Sequence, residues 1–121
     1  MPIHELIVIG IVFSLVLIDY TTGVVNAIMH GELSSERMRQ GLGHKFAYLA
    51  VIGAALIIEY GSDYINLGIE LPVFIPVCVS ICLIEITSIM ENCVKINPEL
   101  KSSNILNIFN IDRKADNEKQ D

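Results

Sequence analysis

The stretch Leu6–Met29, LIVIGIVFSLVLIDYTTGVVNAIM, is long enough to cross a bilayer as one helix, yet a carboxylate, Asp19, stands inside it. At 1.5 Å per residue such a helix covers a hydrocarbon core of about 30 Å. Two further runs repeat the pattern. Residues 46–66 begin FAYLAVIGAALII and carry Glu59 and Asp63 toward their end, with Tyr60 and Tyr64 suited to an interfacial belt. Residues 71–91 contain Glu85 and start with Pro72 and Pro76, where a missing backbone donor does least harm. The fold expected is an all-α integral membrane protein with three transmembrane helices, spanning about 6–29, 46–66 and 71–91.

Composition agrees. Of 121 residues, 52% are hydrophobic and 18% charged, with a mean hydropathy of +0.54, too little polar surface to cover a water-soluble domain of this size. A net charge of −6 argues against nucleic acid as a partner, since that needs a basic face. The three cysteines Cys78, Cys82 and Cys93 and the histidines His4, His30 and His44 lack metal-ligand spacing, so no metal or other cofactor is expected. No nucleophile with its base, phosphate loop or catalytic carboxylate pair stands out, and the chain does not read as an enzyme. The first run has no Lys or Arg ahead of it and no small-residue cleavage pattern after it, which reads as a retained helix and not a signal peptide.

Positive charge sets the expected orientation. Arg37, Arg39 and Lys45 lie between the first two runs, and Lys95, Lys101, Arg113, Lys114 and Lys119 follow the third, while the other two flanks hold none. The N-terminus is therefore expected outside and the C-terminus inside. Ser34 or Ser35 suits a helix cap before a short basic helical turn. Asn97-Pro98 suits the start of an interfacial helix over about 98–111, with Ile105, Ile108 and Phe109 on one face. Residues 1–111 then form one membrane domain, and 112–121 a disordered charged tail.

Each span carries a polar stripe. Asp19, Thr22, Gly23 and Asn26 are helical neighbours in the first, and Glu59 and Asp63 in the second. In the third, Cys78, Cys82, Glu85, Ser88 and Asn92 fall along one side, widened by Thr87 and Glu91. An ionised acid facing lipid costs about 2.5–3.5 kcal/mol on insertion scales. Asp19, Glu59 and Glu85 show no basic partner at similar depth, and a three-helix monomer is expected to be too narrow to hide them all. Assembly of several copies around a common aqueous space is the preferred reading. The polar face then comprises Asp19, Thr22, Asn26, Glu59, Asp63, Glu85, Ser88 and Asn92. Gly23, Ala27 and Gly31 on the first run, and Ala50 and Ala54 on the second, repeat at four-residue intervals that let membrane helices approach closely.

Asp19, Tyr20, Thr21, Thr22 and Gly23, followed by Ala27, Gly31, Ser35, Gly41 and Lys45, resemble the signature of the holins of phage lysis and toxin secretion. A second patch, Glu85, Ser88, Ile89, Glu91 and Asn92, then Pro98 and Leu100, is similar to that family's Glu-x-x-Ser-Ile-x-x-Asn element and the proline-led segment after it. The resemblance spans roughly Leu6 to Leu100. It implies a multi-pass protein of the bacterial cytoplasmic membrane that contacts lipid, forms a homo-oligomer, and opens lesions for an endolysin or a large toxin, with an antiholin as a further partner. The next methionine after Met1 is Met29, whose use as a start would delete the first span, so a dual-start inhibitor is not expected. Two other classes compete: a small proton-coupled carrier subunit, which would also use buried acids, and a non-conducting antiholin or scaffold, which would keep the packing motifs.

Overall fold

The computed structural model describes residues 2–65 and 68–102. It contains three α-helices, α1 (Ile3–Met29), α2 (Ser35–Tyr64) and α3 (Phe74–Ile96), followed by a 3-10 turn over Pro98–Ser102, and no strand among the described residues. With 27, 30 and 23 residues, the helices extend about 40, 45 and 35 Å. All three are long and apolar enough to cross a membrane.

Local sequence sets the ends. The Ser34 hydroxyl accepts the backbone N–H of Arg37 at 3.1 Å and caps α2. The basic turn expected before the second span is therefore its continuous first third, and α2 starts 11 residues ahead of Phe46. At the close of α1, Gly31 turns the chain with φ +66°, a conformation that costs a side-chain-bearing residue about 1–2 kcal/mol. Helix α3 begins at Phe74, three residues later than the sequence suggests, because Pro72 biases Leu71 to extended backbone. Pro76 then falls in the first turn, where its missing N–H leaves no bond unmade. Asn97 Oδ1 accepts from the Glu99 N–H at 3.2 Å and opens the 3-10 turn. Of the interfacial helix expected over 98–111, the described part is this turn; the remainder, and the tail 112–121, lie outside the described residues.

Helix α1 packs most extensively on α3, and α2 lies against this pair with fewer contacts. Tyr60 meets Glu5 near one end, and a Cβ on Gly41 would touch the Tyr20 ring at 3.6 Å near the other, so α2 runs antiparallel to α1. Toward the Tyr60 end the core is dry: Val12 and Val16 from α1, Ile52 from α2, and Phe74, Cys78 and Ile81 from α3. The outside is equally apolar, with Ile11, Phe13, Leu17, Ile57, Val79 and Leu83 all exposed. In lipid this is the stable arrangement, but it means the apolar core gains only close packing, because tails solvate a leucine as well as another leucine does. Hydroxyls on the outer surface fold back onto their own helix. Ser14, Thr21, Ser80 and Thr87 each donate to the carbonyl four residues earlier, at 2.7–2.9 Å, and need no outside partner.

Candidate functional site

The polar stripes of α1 and α3 meet between the helices. Asp19 lies 16 residues from Ile3, roughly 24 Å along α1, with about 15 Å of helix beyond it. Glu85 faces it from α3, and between them stands a side chain from α2, Lys45. Its ammonium donates to Glu85 Oε1 at 2.9 Å and Oε2 at 2.8 Å, and also to Asp19 Oδ2. Every N–H of the ammonium is engaged, and the cation also sits 5.7 Å from the centre of the Tyr48 ring.

This overturns one expectation. Asp19 and Glu85 do have a basic partner at their own depth, and the three-helix unit encloses these two, Asp19 at 5% exposed and Glu85 at 0%, while Glu59 stays outside the cluster. From sequence Lys45 reads as a loop charge, because it directly precedes the apolar run. The available signal was its register. Lys45, Tyr48, Ile52 and Leu56 share one face of α2, and that face packs inward.

Asn92 completes the layer. Its Nδ2 lies 3.0 Å from Asp19 Oδ1, 3.2 Å from the Asp19 carbonyl and 3.1 Å from Thr22 Oγ1, tying α3 to α1. Thr22 donates in turn to the Ile18 carbonyl at 2.9 Å. The Asn92 amide also lies 3.6 Å from the place a Cβ on Gly23 would take, so this member of the small-residue stripe serves contact within the protomer. Ala27 lines a cleft and Gly31 makes the turn, while Ala50 and Ala54 face outward.

From the layer a cleft of about 440 Å³ opens toward the α1–α2 loop. Its walls come from α1 (Asp19 to Ala27), the first turns of α2 (Arg37 to Lys45) and α3 (Ser88, Asn92 and Lys95). At the mouth, Arg37 pairs with Glu32 at 2.8 Å, and this hydrogen bond, with the guanidinium's charge behind it, holds the Glu32 carboxyl below the usual carboxylate range. Asn26 Oδ1 is buried in the same region without a hydrogen-bond partner among the described residues.

The expected polar face thus divides. Asp19, Thr22, Asn26, Glu85, Ser88 and Asn92 gather at the layer and its cleft. Glu59, half-buried, and Asp63, exposed, lie at the opposite end of α2, beside the Tyr60 hydroxyl that donates to Glu5 at 2.5 Å. Neither joins the central cluster. Sequence spacing aligned Glu59 with Asp63 correctly but could not say which end of the other helices they meet.

Three apolar helices around a polar layer in which one lysine serves two carboxylates define a multi-pass membrane protein. The family model of the bacteriophage holin family matches residues 4–110, nearly the whole chain, and the protein belongs to that family. No curated protein and no solved structure was found to match it.

Proposed function

We propose that the chain is a working holin: it collects in the bacterial cytoplasmic membrane as closed three-helix units, then oligomerises into lesions that let a murein hydrolase or a large toxin cross. The family match over residues 4–110 carries this reading. The buried cluster supports its first stage, because a protomer whose central acids are held by Lys45 resides in lipid without exposing them. For the second stage, separation of α2 from the α1–α3 pair hands Asp19, Thr22, Asn26, Glu85, Ser88 and Asn92 to a wet lumen, with Glu59 and Asp63 nearer its other mouth. The step is cooperative, since two copies cannot enclose water. Ala50 and Ala54, outward on α2, offer a close-approach stripe for a neighbouring copy. In this reading the N-terminus lies outside and the C-terminus inside, an orientation supported by Arg37, Arg39, Lys95 and Lys101 even with Lys45 turned inward.

The test is induction in bacterial cells that co-produce a cytoplasmic murein hydrolase. Wild type releases the enzyme and turbidity collapses after a delay; D19N and E85Q, at matched protein levels, shift that delay. Unchanged timing would remove both acids from the mechanism. Retention of the hydrolase with small-ion leakage would favour a proton-coupled carrier, and retention without leakage an antiholin or scaffold.

A further inference from the structure

We infer that the cleft is a water-filled vestibule within a single protomer, which brings bulk water and protons to the Lys45 cluster from the loop side alone. Three observations converge on it. The cleft offers about 440 Å³, room for at least ~15 waters at roughly 30 Å³ each. Its lining includes the polar side chains Asn26, Ser88 and Asn92, which lie one to two turns of helix from Asp19 and Glu85 on the otherwise apolar α1 and α3. Asn26 Oδ1 is a buried acceptor with no donor among the described residues, and burial without a donor is unfavourable unless water supplies one.

The seal lies on the other side of the cluster. Beyond Lys45 the space between the helices is filled by Val12, Val16, Ile52, Phe74, Cys78 and Ile81, of which Phe74 is 0% and Val12 1% exposed. An apolar layer packed this tightly holds no water. Two carboxylates share one ammonium there, so the cluster has capacity for one proton more than its lysine carries, and the vestibule is the wet route to it. Access is one-sided by construction, like a well with a closed floor. This property belongs to the isolated subunit and does not depend on whether copies later form lesions.

Adjacent residues of identical type supply the test. Val24 lines the vestibule, while Val25, at the same depth, is 40% exposed on the outer face. Ala27, on the lining, and Ile28, on the outer face, form a second adjacent pair nearer the mouth, differing in side chain but placed alike. In a full-length chain with its three native cysteines replaced by alanine, V24C, V25C, A27C, I28C and V16C are each reconstituted at low density in vesicles of phosphatidylethanolamine and phosphatidylglycerol. A charged, membrane-impermeant methanethiosulfonate is then added to one face at a time.

The reactive species is the thiolate, which forms only where water solvates it, so V24C should react about tenfold or more faster than V25C, and A27C faster than I28C. All of this reaction should come from the loop face, with V16C inert from both faces. Equal rates for V24C and V25C together with equal rates for A27C and I28C would overturn the vestibule. Modification of V16C, or reaction of V24C from both faces, would overturn the seal. The A27C pair keeps the comparison decisive should V24C fail to insert. Release of a co-encapsulated enzyme, followed in the same vesicles, reports lesion formation separately, so failure of the holin reading and failure of the vestibule give different results.

Discussion

Replacing Lys45 with methionine keeps the length of the side chain and deletes its charge, leaving Glu85 fully buried and Asp19 nearly so with no cation between them. Removing one partner of a buried ion pair costs about 3–5 kcal/mol. A ceiling comes from the escape available to the acid. Holding one glutamic acid protonated at pH 7, against an ordinary acidity near 4.3, costs about 3.7 kcal/mol, so the first carboxyl takes a proton before the penalty exceeds that. The expected loss is therefore about 3–4 kcal/mol, two to three orders of magnitude in the folding equilibrium. Its pH dependence follows in sign. The folded variant holds a proton that the unfolded chain lacks at pH 7, so lowering the pH favours folding. The deficit should shrink by about 1.4 kcal/mol per unit, or about 2.7 kcal/mol by pH 5. E85Q should cost clearly less than K45M, because it leaves Lys45 and Asp19 as a neutral pair. The triple variant D19N/K45M/E85Q, with no charge left to strand, should recover most of the loss. The assay is unfolding in bicelles by added denaturing detergent, followed by far-ultraviolet circular dichroism. A K45M loss under about 1 kcal/mol, or a triple variant as unstable as K45M, would refute the view that Lys45 is the counter-charge of two buried acids.

Three other outcomes test separate parts of the molecule. N92A should lose about 1–3 kcal/mol in the same unfolding assay, because it strips the donor from buried Asp19 and Thr22 oxygens, and N92D should be worse by adding a third carboxyl at that spot. S34A should cost about 1 kcal/mol and speed amide exchange at Arg37, while S34D keeps the cap and exchanges like wild type. Y60F removes the hydroxyl held by Glu5 and should raise amide exchange at the adjoining ends of α1 and α2, leaving the Lys45 layer unchanged. Faster exchange around Lys45 in that variant would show that the two ends are coupled.

Much of this architecture is written plainly in the residue pattern. Apolar length alone identifies three helices, and the Asp19, Thr22, Asn26 and Glu85, Ser88, Asn92 stripes are visible from helical spacing. Those stripes meet as α1 packs on α3. Partnership across helices is harder to read. Lys45 sits one residue before an apolar run, where flanking cations are common, and only the packing of α2 turns it inward. The same limit hid the division of the acids: Glu59 lies on the α2 face that bears Lys45, 14 residues further on, yet at the far end of a 30-residue helix. The extension of α2 back to Ser35 was obscured by Gly41 and Gly43, which usually weaken a helix. Here the Ser34 cap starts the helix early, ahead of both glycines.

The dominance of the α1–α3 interface has a consequence for biogenesis. The two helices with most in common are separated by the whole of α2, so the hairpin that leaves the ribosome first has little holding it together. Between the end of α2 and the end of α3 the ribosome adds 32 residues, about 2–6 s at 5–20 residues per second. During that interval Asp19 and Lys45 can match each other one to one, so this pair enters lipid balanced. Glu85 arrives last, as the surplus anion, and brings with it the helix that fastens the bundle. The order of synthesis thus postpones the awkward charge until the helix that closes the bundle arrives with it.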